Sequence, residues 1–159
     1  MDRGRLILLV DRIAAGRWAT HRVGETVRAD PRTSAAFTRT AWLLVAAFVI
    51  GAGAVVEAIA RARAGDHVSP LVWWRLVVIL GIACTLFYFV WRASLGFWWA
   101  YSRLRLFSLV FPVIAVGSSF VPGLYPEWMV VEQVLFSAVL LLVRWVLSAP
   151  HLRLAYARP

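Results

Sequence analysis

Three charged side chains stand at positions where a strongly apolar chain has no ordinary use for them: Glu57, Arg75 and Glu132. Each lies in a run of about 20 predominantly apolar residues, the length needed to cross a hydrocarbon core of about 30 Å. A lone ionised carboxylate at such a depth is costly, and a partner is the cheapest remedy. With ~1.5 Å of rise per residue, Glu132 falls roughly 8 Å, Arg75 roughly 9 Å and Glu57 roughly 10 Å from the midplane, all in the same leaflet. The expectation is an outer-leaflet cluster with Arg75 between Glu57 and Glu132, tying three spans together. Such a cluster can be a packing clamp. The same groups also suit a polar site for a lipid headgroup, a proton or a substrate, or a contact with another protein. Arg144 lies towards the opposite face, where its long stem can snorkel to phosphates.

The elements that must carry these charges follow from composition. In 159 residues, 62% are hydrophobic, only 16% are charged and the mean hydropathy is +0.75. A soluble domain of this size cannot bury that much apolar surface. The sequence predicts an all-α membrane protein, a bundle of four transmembrane helices with an N-terminal cytoplasmic amphipathic arm. The spans are about 41–60, 71–91, 104–121 and 128–147, separated by "RARAGDHVSP", "RASLGFWWAYSR" and "PGLYPE", each holding the Gly, Pro or charge that marks a turn. Residues 1–30 form the arm, 31–150 the bundle and 151–159 a cytoplasmic tail. "LILLV" at 6–10 is too short for a secretory apolar region. The first span is therefore expected to act as its own insertion signal.

All seventeen basic residues are Arg, and Lys and Asn are absent. Fourteen of the arginines fall on the side of the two termini and three on the other, with four acids on each side. That bias predicts an inner-membrane protein with both termini cytoplasmic. Trp42, Trp91, Trp98, Trp99 and Trp145 collect at the inner boundary and Trp73, Trp74 and Trp128 at the outer one, as an interfacial belt requires.

Helices in a bilayer associate by close fit, so small residues mark contact faces. Ala47, Gly51, Ala54 and Ala58 form such a stripe on the first span, and the sequence leaves open whether its neighbour is internal. Pro112 should kink the third span, with Ser108, Ser118 or Ser119 available to bond backbone nearby. In the arm, Leu6, Leu9, Ile13 and Trp18 fall at helical spacing between Arg3, Arg5, Arg12 and Arg17. This pattern reads as a helix lying on anionic lipid, with a helix docking onto another protein as the alternative. Asp30 followed by Pro31 signals a helix start, and that helix is expected to run directly into the first span. The Arg- and Trp-rich 92–105 segment is read as hugging the inner interface and not as a nucleic-acid surface.

No nucleophile stands beside a base, and no acidic pair, metal-ligand set or phosphate loop is legible. The sequence therefore predicts a protein that is not an enzyme and has no cofactor and no metal. Two readings remain: a non-catalytic accessory subunit of a larger membrane complex, or a small oligomeric transporter or lipid-handling protein built on the Glu/Arg cluster. In architecture, through its Lys-free Arg-rich arm at 1–40, its four spans and its cytoplasmic termini, the chain resembles the small four-span proteins of actinobacteria. Among these it resembles the accessory subunit of mammalian-cell-entry-type lipid importers. The resemblance implies association with a permease and ATPase complex importing lipids or fatty acids, with this chain stabilising or regulating the complex. It carries over no functional residues.

Overall fold

The computed structural model describes residues 22–24 and 29–156. The arm residues Arg3, Arg5, Leu6, Leu9, Arg12, Ile13, Arg17 and Trp18 lie outside the described residues. The described part is helical, with α1 at Pro31–Arg63, α2 at Pro70–Ser94, α3 at Trp98–Ser119, α4 at Glu127–Leu147 and a short α5 at Pro150–Ala155. Among the described residues the nearest thing to a strand is one isolated antiparallel bridge between Arg22 and Phe97. Among the described residues, four helices are long and apolar enough to cross a membrane. The chain is an all-α, multi-pass membrane bundle.

Local chemistry explains the helix limits. Asp30 caps α1 by accepting a hydrogen bond from the Arg32 amide at 2.8 Å, and Pro31 occupies the first turn, where a missing N–H is harmless. At 33 residues α1 is about 50 Å long, so it outruns a hydrocarbon core, and its first turns stay packed in the bundle through buried Thr33, Ala36, Phe37 and Thr40. The three connections between the four long helices carry Gly65, Gly96 and Gly123 at φ 93°, 88° and 73°. At Gly96 the tight reversal lets the Phe97 amide donate to the Arg92 carbonyl and the Val23 amide donate to Gly96, pinning residues 22–24 to the α2–α3 turn.

α1 packs against α2 and α4, and α3 packs against the same two helices, closing the ring. The larger core lies at the end where the chain enters α1 and leaves α4. There Phe37, Leu44, Leu86, Trp99, Leu104, Leu140 and Leu147 are buried together. A smaller core of Ala54, Ala58, Val72, Leu76 and Met129 fills the other end. Outward faces are apolar, with Trp42 and Trp145 exposed near one end and Trp74 near the other, as a lipid-facing surface requires.

One segment expected at the interface and one expected as a cytoplasmic tail contribute to the core instead. α3 begins at Trp98, six residues before the predicted start of its span, and Phe97, Trp99, Ala100 and Tyr101 are buried. The described part of the predicted tail, 151–156, forms α5 and its C-cap and seats Leu152 and Tyr156 inside the bundle. The phenolic oxygen of Tyr156 donates to the Ala93 carbonyl at 2.8 Å, and its ring meets that of Tyr101 at 4.6 Å. Trp98 in turn donates to the Tyr156 carbonyl at 3.0 Å. The physical reason is the four-residue spacing of Leu152 and Tyr156, which puts both on one face of a short helix aimed at the open end of the bundle. Tyr101 donates to the carbonyl of Leu147, the last residue of α4, at 2.6 Å. That carbonyl has no partner within its own helix. Tyr101→Phe should therefore cost about 1–2 kcal/mol, measured by thermal unfolding in detergent. An unchanged unfolding midpoint would show that this bond contributes nothing.

Pro112 lies inside α3, which runs without interruption from Trp98 to Ser119. Ser108 bonds the Arg105 carbonyl at 3.2 Å, while Ser118 and Ser119 bond that of Ala115 at 2.8 and 3.3 Å. None of these bonds reaches the Ser108 carbonyl, the acceptor that Pro112 leaves without its helical donor.

Candidate functional site

The intramembrane charges come together around Arg75 on α2. In α2, Val72, Leu76 and Ile79 are buried, and Arg75 stands three residues after the first and four before the last, on the same inward face. In α4, Glu132 and Gln133 follow buried Met129 by three and four residues, which turns both inward. The Arg75 and Glu132 side chains are 11% and 7% exposed, and Nη2 lies 3.4 Å from Oε2. Among the described residues, neither Glu132 oxygen accepts a hydrogen bond and Arg75 Nη1 donates none, so the pair is held by charge alone.

Gln133 is the member the charge pattern does not single out. Arg75 Nη2 donates to its Oε1 at 2.7 Å. Its Nε2 donates across to α3, to the Ser118 hydroxyl at 2.8 Å and to the Ala115 carbonyl. The Tyr125 ring, from the α3–α4 connection, lies under the guanidinium with the centroid 4.6 Å from Cζ. The cluster thus joins α2, α3 and α4. Gln133 is the sole glutamine of the chain and sits at nearly the same depth as Arg75, so its presence in an apolar run was a usable signal.

Glu57 does not join. It pairs with Arg61 one turn further along α1 at 2.8 Å, and both side chains are exposed, at 47% and 40%. Arg61 also lies 4.0 Å from Asp66 and over the Trp128 ring at 5.5 Å. The expected three-membered Glu57–Arg75–Glu132 cluster is therefore corrected to Arg75, Glu132, Gln133 and Ser118. The reason is rotation. Ala54 and Ala58 are buried, and Glu57 is turned about 100° around the helix from Ala58, away from the interior. Arg144 also departs from expectation, since its Nη1 bonds the Arg105 carbonyl at 2.8 Å and ties α4 to α3.

The small-residue stripe of α1 finds its neighbour inside the molecule. Ala47, Gly51, Ala54 and Ala58 are all buried. A Cβ at Gly51 would stand 3.2 Å from the Ile79 Cγ2 and 3.4 Å from the Leu80 Cδ2, both on α2. On the opposite side of α1, Ala46, Val49, Gly53, Val56 and Ala60 are exposed and repeat at spacings of three and four. The two valines are 61% and 66% exposed, and a Cβ at Gly53 would meet nothing within 4 Å.

Between α2 and α3 a cavity of ≈ 210 Å³ adjoins the cluster, lined by Arg75, Gln133, Ser118 and Tyr125 at one end and by apolar residues such as Ile82 and Ile114 beyond. Among the described residues no group of His, Cys, Asp and Glu is placed to hold a metal ion. No protein-family model matches the chain, and neither does any curated protein sequence or any solved structure.

Proposed function

We propose that this chain is a non-catalytic accessory subunit that stabilises a larger inner-membrane complex, with both termini in the cytoplasm. The observation that carries this reading is the unused outer seam of α1. Small residues at Ala46, Gly53 and Ala60, with Val49 and Val56 between them, are spaced as one helix packs against another, and among the described residues nothing covers them. The polar cluster supports the same reading, because Arg75, Glu132 and Gln133 are used to hold α2, α3 and α4 together. The arginine bias towards the terminal end supports the orientation. The architecture's resemblance to accessory subunits of mammalian-cell-entry-type importers makes a permease and ATPase complex that imports lipids or fatty acids the partner proposed, alongside the surrounding membrane lipids.

Affinity purification in mild detergent, followed by mass spectrometry, tests the reading. Unlike partners at fixed stoichiometry are expected. Gly53→Leu should remove them while leaving the isolated chain as stable as wild type, since a side chain there enters open space. A variant that retains its partners at wild-type yield moves the interface off this face. One observation favours a second reading, a small oligomeric transporter or lipid-handling protein. The cavity beside Arg75 has a polar end and an apolar body, the shape of an amphiphile's site. Under that reading the chain purifies only with copies of itself.

A further inference from the structure

A second groove lies at the arginine-rich end, away from the polar cluster. It encloses ≈ 620 Å³ between the first turns of α1 and the α4–α5 joint, lined by Arg32, Ala35 and Arg39 on one wall and Trp145, Ala149 and His151 on the other. The two arginines are exposed and form no ion pair among the described residues. Asp30, next to the groove in sequence, is occupied as the cap of α1. No Asp or Glu lines the groove, so its two arginines bring positive charge to it without a counter-charge among the lining residues. The His151 Nε2 on the opposite wall also has no hydrogen-bond partner among the described residues.

Depth identifies the occupant. Arg39 precedes the predicted apolar span by two residues, and Trp145, 75% exposed, marks the same level from α4. Arg32 lies two helical turns, about 10 Å, further out. The groove therefore has an apolar floor at the hydrocarbon boundary and positive charge from that boundary outwards. Its volume falls in the range of ligand sites of about 300–1,000 Å³. We propose that this groove holds one phospholipid with a net-negative headgroup, its phosphate at Arg39, its distal headgroup towards Arg32 and its upper acyl segment against Trp145 and Ala149. Guanidinium is the group of choice for a phosphate, because its planar fork bonds two oxygens at once. The inference goes beyond the accessory reading and is independent of it, because its assay needs no partner protein.

The test is native mass spectrometry of the full-length chain released from detergent after incubation with dioleoyl phosphatidylglycerol or dioleoyl phosphatidylcholine. Wild type should retain the anionic lipid over the zwitterionic one, one molecule per chain. Arg32→Gln and Arg39→Gln should each reduce that preference about fivefold, the weight of one basic residue near an anionic surface. The double variant should abolish the preference without shifting the unfolding midpoint, because both side chains are exposed. Arg63→Gln, at the far end of α1, should retain the wild-type preference. Equal retention of the two lipids by wild type overturns the proposal. So does a preference that survives in the double variant and falls in Arg3→Gln/Arg5→Gln, which would give the lipid to the N-terminal arm.

Discussion

Arg75→Leu is expected to lower the stability of the bundle by about 3 kcal/mol, the low end of what removing one partner from a buried ion pair costs. The reason is less the lost attraction than what stays behind. Glu132 keeps its place at 7% exposure, and among the described residues neither of its oxygens has a hydrogen bond to fall back on. Gln133 simultaneously loses the 2.7 Å bond that orients its amide towards Ser118 and Ala115, so the linkage from α4 to α3 loosens too. Neutralising the orphan should repair much of the damage. Arg75→Leu/Glu132→Leu is expected to recover at least half of the loss, because well-packed apolar residues replace buried pairs at little net cost. The measurement is a double-mutant cycle on unfolding midpoints in one detergent, with Glu132→Leu completing the square. Additive single effects would show that the two charges act separately, and an unperturbed Arg75→Leu would remove the clamp altogether. Glu57→Gln serves as the contrast. Its partner Arg61 is on the same helix and both side chains are exposed, so the change should stay within a few tenths of a kcal/mol.

The contrast between Glu132 and Glu57 shows which parts of this site a sequence can disclose. Depth is legible, because residues advance along a span at a fixed rise, and it brought Arg75 and Glu132 to one level. Rotation about the helix axis decides which charges at that level meet, and only the buried face of each helix reports it. For α1 that face was available: Ala47, Gly51, Ala54 and Ala58 point inward, and Glu57 cannot share their direction. The sequence left open whether the stripe's neighbour was internal; once the stripe faces the interior, Glu57 cannot. The four long helices were legible for the reason depth was, since the bilayer fixes their length and apolarity. The start of α1 was legible in two residues, Asp30 and Pro31. The α5 segment was not, because six residues carry too little periodicity to separate a docked helix from a tail. Its docking depends on the Tyr156 hydroxyl finding the Ala93 carbonyl 63 residues away.

Gly51→Leu should be the most disruptive substitution on α1, and comparison with Gly53→Leu makes the reason visible. The two glycines are two residues apart, have the same composition and propensity, and lie on opposite faces. At Gly51 even a methyl group would press on Ile79 at 3.2 Å. Gly51→Ala is therefore expected to be nearly neutral, because the small crowding is offset by the better helix propensity of Ala, worth up to about 1 kcal/mol. A leucine there has no such escape. Its branched end must enter the space held by Ile79 and Leu80, which forces α1 and α2 apart and strains both against α4. Overpacking of this kind typically costs about 1–3 kcal/mol, and the upper end is expected here because Ala47 and Ala54, a turn to either side, are also buried. At Gly53 the same leucine points into open space and replaces a poor helix former with a good one, so the isolated bundle should unfold no earlier than wild type. Fluorescence-monitored thermal unfolding in detergent compares the three variants directly. Equal midpoints for Gly51→Leu and Gly53→Leu would mean that α1 is not seated on α2 through its small residues, and the inner and outer faces of this helix would then have to be reassigned.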